Sequence, residues 1–333
     1  MPRLHDWLLA TWYGDHRRGR WLLPLSWLFA AAVAGRRQCW RRGWLASYRS
    51  PRAVVVVGNL TVGGTGKTPF VIWLAGQLLA RGWRVGIVGR GYRGAGGAAR
   101  RVTGTSSVTD VGDEALLLAR RLGVPVAVGH DRPAAVRLLE ADCELIIADD
   151  GLQHYALQRD IEIAIVDGRR GLGNGRYLPA GPLREPGARL AQVDAVVVNG
   201  GGFAWPGALG MTLVPRALVA LTDGRRLSPR AFAGRRVLGV AAIGHPAQYF
   251  RALRELGMEP SERPLPDHAA ISAAVLEAEP DLPVLMTEKD AVKCPAAAAT
   301  DAWYLEVEAQ VTGDVTGLIA RIEAAARRRC AGG

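Results

Sequence analysis

Lysine is nearly absent from this 333-residue chain. Of 42 basic residues only Lys67, Lys289 and Lys293 are lysine, and arginine serves everywhere else. A lysine kept in such a background marks a position that needs a compact ammonium rather than a planar fork. Lys67, beside a glycine cluster, fits that description, and Lys289 in Thr287-Glu288-Lys289-Asp290 is a second candidate, whereas Lys293 reads as chance. Cysteine is scarce too. Cys39, Cys143, Cys294 and Cys330 have no short spacing among them, which excludes a disulfide scaffold, a zinc ribbon and a CxxC redox motif, and suits reduced cytosolic thiols. No apolar run reaches the roughly 18 residues of a spanning helix, so a polytopic membrane protein is excluded. There is no internal repeat. With 49% hydrophobic and 22% charged residues the chain is globular. At roughly 150 residues per domain its length suggests about two domains.

The positive charge is concentrated at one end. Residues 1–52 hold ten Arg against Asp6 and Asp15, a net +8 of the chain's +11, so the remainder is close to neutral. The same stretch carries Trp7, Trp12, Trp21, Trp27, Trp40 and Trp44, six of the ten tryptophans. Its apolar run, Trp21–Ala34, lies between Arg17, Arg18 and Arg20 and Arg36 and Arg37. As a helix the run would be about 21 Å long against a hydrocarbon core near 30 Å, too short to span comfortably. Arginine and tryptophan around an apolar helix suit an anionic membrane surface, and that is the expectation here. Two other readings stand beside it. One is a secretory signal cleaved after Ala32-Val33-Ala34, against which stand Pro24, the tryptophans and the arginines beyond. The other is a buried structural helix.

Along the rest of the chain, Ala53–Val57, Trp83–Val88, Val124–Val128, Glu144–Ala148, Ile161–Val166 and Ala195–Val198 read as strands, and Lys67–Ala80, Asp113–Leu122 and Ala134–Leu139 as helices. That alternation predicts βαβ units and a mostly parallel sheet. Gly89–Arg101 reads as a loop, and Gly200–Gly210 as a boundary or linker. Beyond it, Arg236–Ala242 and Pro283–Met286 read as strands and Pro246–Leu256 and Val315–Arg328 as helices. The expected organisation is a basic, Trp-rich, membrane-associating segment (1–52), a larger α/β domain (53–205) and a smaller α/β domain (206–333).

The strongest motif is Gly58–Thr68, GNLTVGGTGKT, after a strand and opening a helix, which is the context of a P-loop. The backbone of Thr61, Val62, Gly63, Gly64, Thr65 and Gly66 would cradle phosphate oxygens of ATP. Lys67 would reach the β- and γ-phosphates, and the Thr68 hydroxyl would bind Mg²⁺. The first glycine of the generic motif is Thr61 here. Glu144–Asp150, ELIIADD, is an apolar strand ending in two carboxylates, which places Asp149 or Asp150 beside that Mg²⁺. Gly112-Asp113-Glu114 opens a helix, either as an ordinary acidic start or as a base for a sugar hydroxyl. Pro266-Asp267-His268 is either structural or tunes a carboxylate across a cleft; spacing alone leaves both open.

Val56–Pro69 resembles the P-loop of the tetraacyldisaccharide 4′-kinase (lipid A 4′-kinase) family. Gly89-Arg90-Gly91-Tyr92, Gly112-Asp113-Glu114, Asp149-Asp150-Gly151-Leu152-Gln153-His154, Gly181-Pro182-Leu183-Arg184-Glu185, Asp267-His268 and Thr287-Glu288-Lys289-Asp290 are similar to that family too. The resemblance runs to about residue 310, and Thr61 is how the family reads. It implies transfer of the ATP γ-phosphoryl to the 4′-hydroxyl of a tetraacylated glucosamine disaccharide 1-phosphate, giving lipid IVA, at the cytoplasmic face of the inner membrane. It implies two α/β domains joined by a narrow strand linker, a P-loop kinase domain (53–205) and the smaller domain (206–333) closing the active-site cleft between them. Asp113 would be the catalytic base, paired with His268. Asp149 and Asp150 would serve Mg²⁺, Tyr92, Glu114, Arg184 and Glu185 would lie near the substrate, and Gln153 and His154 near the nucleotide. The family often has a second histidine after the Asp-His pair, and Ala269 stands there instead. An acceptor carrying four acyl chains leaves a bilayer at about 0.8 kcal/mol per CH₂, so an interfacial enzyme is expected to work on it in place. No protein partner is implied. Two further readings compete: a P-loop ATPase or GTPase switch or metallochaperone without an acceptor, and a nucleic-acid ATPase, against which the neutral body counts.

Overall fold

The computed structural model describes residues 4–14, 17, 19–91, 98–294 and 301–331. Two helices precede the sheet, α1 (Leu4–Tyr13) and α2 (Leu23–Arg41). Pro24 sits in the first turn of α2, where its fixed φ suits a helix and its missing N–H is not needed. The helix then runs on through Gly35 to Arg41, so Ala32-Val33-Ala34 lies mid-helix. One side of the pair is tied down. Trp12 Nε1 donates to the Pro179 carbonyl at 2.9 Å, and Ser26 Oγ to that of Tyr177 at 2.7 Å. The other side leaves Trp21 and Trp27 each 68% exposed, with Leu25, Leu28, Trp44 and Leu45 also in the open.

The chain then supplies β1 (Ala53–Gly58), α3 (Lys67–Leu79), β2 (Val85–Gly89), β3 (Arg100–Arg101), α4 (Val108–Val111), α5 (Asp113–Leu122), β4 (Val126–Val128), α6 (Arg132–Arg137), β5 (Leu145–Asp149), β6 (Ile161–Asp167) and β7 (Ala195–Asn199). Strand β1 is buried at every position, as a β-branched run is when helices cover both faces of a parallel sheet. It pairs in parallel with β5 on one side and β6 on the other. On one face Phe70, Val71, Leu74 and Leu78 of α3 pack with Leu116 of α5. On the other, Val54 and Val56 pack with Leu139, Leu152 and Leu183.

Sequence reading found some of what comes next, the strands near 236–241 and 284–287 and the helices near 246–255 and 315–331, and missed the rest, above all the two long strands that begin at Leu209 and Ala302. Strand β8 (Leu209–Ala220) starts inside the expected linker and is followed by β9 (Arg226–Leu227), β10 (Arg236–Ala241), α7 (Pro246–Glu255), β11 (Glu259–Pro264), α8 (Ala273–Leu276), β12 (Val284–Thr287), α9 (Glu288–Ala291), β13 (Ala302–Thr312) and α10 (Val315–Ala331). The sheet order is β11-β10-β12-β13-β8-β7-β6-β1-β5-β2-β4-β3, with β9 on β8. Strands β8 and β13 are antiparallel from Gly210↔Thr312 to Ala220↔Trp303, with a bulge at Glu306/Val307. At one end Leu209, Met211 and Ala309 join the first core, and at the other Leu218, Trp303 and Leu305 join the core around Phe250 and Leu253. Two long strands therefore carry a single sheet from one core to the next. Helix α10 follows β13 and packs back through Leu318, Ile319 and Ile322 into the core of Phe70 and Leu74. The segment 206–333 thus gives its last helix to the first core. Among the described residues no helix is long and apolar enough to cross a membrane.

Candidate active site

The C-terminal ends of β1 and β5 and the start of α3 converge, which is where parallel α/β sheets collect ligands. Gly66 caps α3 at φ +89°, and a Cβ there would come within 2.5 Å of Asn199 Nδ2. Glycine is required at this turn by backbone and by space. Two side-chain amides, of buried Asn59 and half-buried Asn199, hold the loop. Asn59 Nδ2 donates to the carbonyls of Thr61 (2.8 Å) and Gly63 (3.2 Å), while its Oδ1 accepts from Lys67 Nζ at 3.2 Å. Asn199 Nδ2 donates to the Thr65 carbonyl at 3.1 Å. Gln153, expected near the nucleotide, donates to the Asn59 carbonyl at 3.1 Å and so braces the loop. Val62 and Arg184 add backbone bonds between the loop and residues 182–184. Asn59 and Asn199 were missed by sequence reasoning; Asn59 lay inside the motif, and Asn199 carried no local signal.

Asp149 ends β5 and is buried; its Oδ1 has no hydrogen-bond partner. Burial, reinforced by nearby Glu114, pushes this carboxyl up from its ordinary range. Asp150 is the opposite case. Burial opposes its charge, but Lys67 Nζ at 3.5 Å and Arg184 Nη1 at 3.3 Å outweigh it and hold the carboxyl down to about 2. Arg132, wholly buried at the start of α6, donates to the Asp149 carbonyl at 3.1 Å, and sequence reading gave it no role. His154 is held neutral: burial and then Arg132 depress its pKa to about 4. The orphaned Asp149 Oδ1 and the unpartnered buried Thr65 hydroxyl fit a hard cation at this edge. Among the described residues no cluster of three His, Cys, Asp or Glu could hold a metal alone, so Thr68, Asp149 and Asp150 would share it with phosphate oxygens and water.

A second cluster forms where α5 meets the other half of the sheet. Asp113 stands at the start of α5 after Gly112 (φ +86°), with Oδ1 accepting from the Glu114 N–H at 2.9 Å. His268 Nδ1 lies 2.9 Å from Asp113 Oδ2. Burial alone would raise the Asp113 pKa, but the His268 hydrogen bond, Lys289 and Lys293 together hold it below the usual carboxylate range. As the carboxylate it accepts the His268 N–H. Lys293, read as chance in the sequence, is buried, 2.6 Å from Asp290 and 4.0 Å from Asp113 Oδ2. The arrangement places it in this cluster. Gly244 brings the second half onto the phosphate loop: a Cβ there would lie 3.6 Å from Asp267 Oδ2 and 4.0 Å from the Gly64 nitrogen. Among the described residues only Asp150 and His268 are non-glycines with positive φ, +50° and +61°. Such strain, about 1–3 kcal/mol each, gathers where geometry serves chemistry.

The remaining expected residues divide. Arg184 reaches Asp150, and Glu114 reaches Lys289 at 3.1 Å. Glu185 is almost fully buried and accepts from Tyr155 Oη at 2.5 Å, with Arg189 at 3.6 Å, so it anchors the turn that carries Arg184. Tyr92 lies outside the described residues.

A glycine cradle with a lysine and a helix start, two carboxylates at the next strand end and a separate Asp-His pair define a P-loop phosphotransferase. A profile of the family described as tetraacyldisaccharide-1-P 4′-kinase matches residues 18–327. The tetraacyldisaccharide 4′-kinase of Ectopseudomonas mendocina is 49% identical over 311 residues, 92% of this chain and 93% of that one. That of Azotobacter vinelandii is 48% identical, covering 92% and 93%. A crystal structure of LpxK from Aquifex aeolicus in complex with ATP superposes with a TM-score of 0.77 at 29% identity, covering 91% of this chain and 99% of that one. The chain belongs to the tetraacyldisaccharide 4′-kinase family. It is an ATP- and Mg²⁺-dependent kinase of lipid A biosynthesis, acting on the 4′ position of a lipid A disaccharide precursor.

Proposed function

We propose that Asp113 takes the proton of the 4′-hydroxyl as that oxygen attacks the γ-phosphoryl of ATP held on residues 61–68. The observation that carries this reading is the Asp113–His268 pair at 2.9 Å, made by two halves of the sheet beside the phosphate loop. Phosphoryl transfer asks the protein for position and for charge where charge develops. Lys67 and the backbone at the start of α3 neutralise the phosphates, and Arg184 keeps Asp150 turned toward Lys67. Thr68, Asp149 and Asp150 would hold Mg²⁺, which would neutralise charge on the phosphate oxygens. His268 orients the Asp113 carboxylate through the N–H it donates. Glu114 and Arg184 border the acceptor.

We also propose that the enzyme works as a peripheral protein on the anionic cytoplasmic face of the inner membrane. The support is the apolar face of α2 and its flanks, where Trp21, Trp27 and Leu28 are each at least 67% exposed among arginines. Replacing Trp21, Trp27 and Leu28 by serine leaves the buried contacts of Trp12 and Ser26 intact. Partitioning onto anionic phospholipid vesicles is expected to fall by roughly 10–100-fold, about 1.4–3 kcal/mol, with the KM for ATP unchanged. Cosedimentation with vesicles measures it, and unchanged binding contradicts the membrane reading.

A further inference from the structure

Lys289 stands on α9, in the half of the sheet opposite α5. Its Nζ lies 3.1 Å from Glu114 Oε1, 3.8 Å from Asp113 Oδ2 and 4.0 Å from Asp267 Oδ1. One ammonium therefore faces three carboxylates drawn from both sides of the cleft. The groups around Asp113 are Glu114 beside it on α5, Asp267 and His268 from the loop after β11, and Lys289, Asp290 and Lys293 from α9 and the turn beyond it. Helix α9 is fixed in place independently, because Glu288 pairs with Arg121 of α5 at 3.2 Å and Arg121 also pairs with Glu306 of β13. Neither Lys67 nor the phosphate loop explains why this position departs from the arginine used elsewhere in the chain.

We propose that Lys289 is a positioning residue for Asp113: its compact ammonium lies among Glu114, Asp113 and Asp267 and holds Asp113 charged and aimed at the acceptor, a place arginine cannot fill. The proposal rests on the reading of Asp113 as the base. A guanidinium spreads its donors around a plane, as Arg121 does between Glu288 and Glu306, whereas these three carboxylates converge on a single nitrogen. A point charge at these distances serves all three.

The test compares Lys289→Met, Lys289→Arg and Asp113→Asn in the full chain, measuring kcat and KM for ATP across pH and the melting temperature. Lys289→Met is expected to lower kcat roughly 10–100-fold with KM within about threefold. The acid limb of its kcat profile should move up by about one pH unit, because the carboxylate loses a cation that favours its charged form. Lys289→Arg keeps the charge, so its acid limb should stay at the wild-type pH while kcat still falls at least about tenfold. A Lys289→Met profile that superimposes on wild type overturns the proposal, as does wild-type kcat in Lys289→Arg. Should Lys289→Met fail to fold, the arginine variant decides alone. Asp113→Asn separates the two ideas. If it keeps full kcat, the base reading fails; if it is inactive while Lys289→Met keeps the wild-type kcat and acid limb, only the role of Lys289 fails.

Discussion

Replacing Lys67 with alanine is expected to abolish phosphoryl transfer, lowering kcat by about 10³-fold or more, which is about 4 kcal/mol of transition-state stabilisation. Lys67 is half-buried at the first turn of α3, held by Asn59 Oδ1 at 3.2 Å and Asp150 Oδ1 at 3.5 Å. Those two contacts fix the ammonium at the head of the glycine loop. The alanine variant loses that charge and also leaves Asp150 with Arg184 as its remaining close cation. The fold should persist, because Asn59 still bonds the carbonyls of Thr61 and Gly63. Steady-state transfer with a melting curve in parallel checks both halves of the expectation. A folded variant with more than a few per cent of wild-type turnover would remove Lys67 from the phosphate site.

Asp113→Ala should lower kcat by about 10²–10⁴-fold, the usual contribution of a positioned base, and leave ATP affinity within a few-fold. The split follows from place. The Asp113 carboxylate meets His268, Lys289 and Lys293, all of them outside the phosphate loop. Uniform loss of ATP binding at unchanged kcat would make Asp113 a binding residue instead. The competing reading of an ATPase switch predicts intact hydrolysis in this variant, so ATP turnover without acceptor is the control.

The phosphate site was legible in the sequence because everything it needs is local. Strand, glycine turn, lysine and helix follow one another from Ala53 to Leu79, and the second acid strand repeats the pattern ninety-odd residues on. What escaped was non-local or conformational. Strands β8 and β13 are half-exposed along the middle and carry no clean alternation, and their pairing joins residues 210–220 to 303–312. Asn199 and Arg132 reach the site from chain segments with no motif around them. Lys293 gained its place only when α9 packed on α5. The left-handed backbone of Asp150 and His268 is set by tertiary contacts that no residue pattern announces. The proposed membrane face was visible as tryptophan and arginine around a short apolar run, but the sequence alone did not tell which residues face outward. Trp12 proved to be buried and Trp21 and Trp27 exposed.

The central claim is that a phosphoryl group passes from ATP on the glycine loop to the sugar hydroxyl of an acylated disaccharide. Supplying γ-labelled ATP, Mg²⁺ and a tetraacyl disaccharide 1-phosphate in vesicles, then locating the label, tests it most directly. The account predicts label on the 4′ oxygen of the lipid in the wild-type protein and its loss in Lys67→Ala and Asp113→Ala. Label appearing only as inorganic phosphate, with the lipid unlabelled, would contradict it.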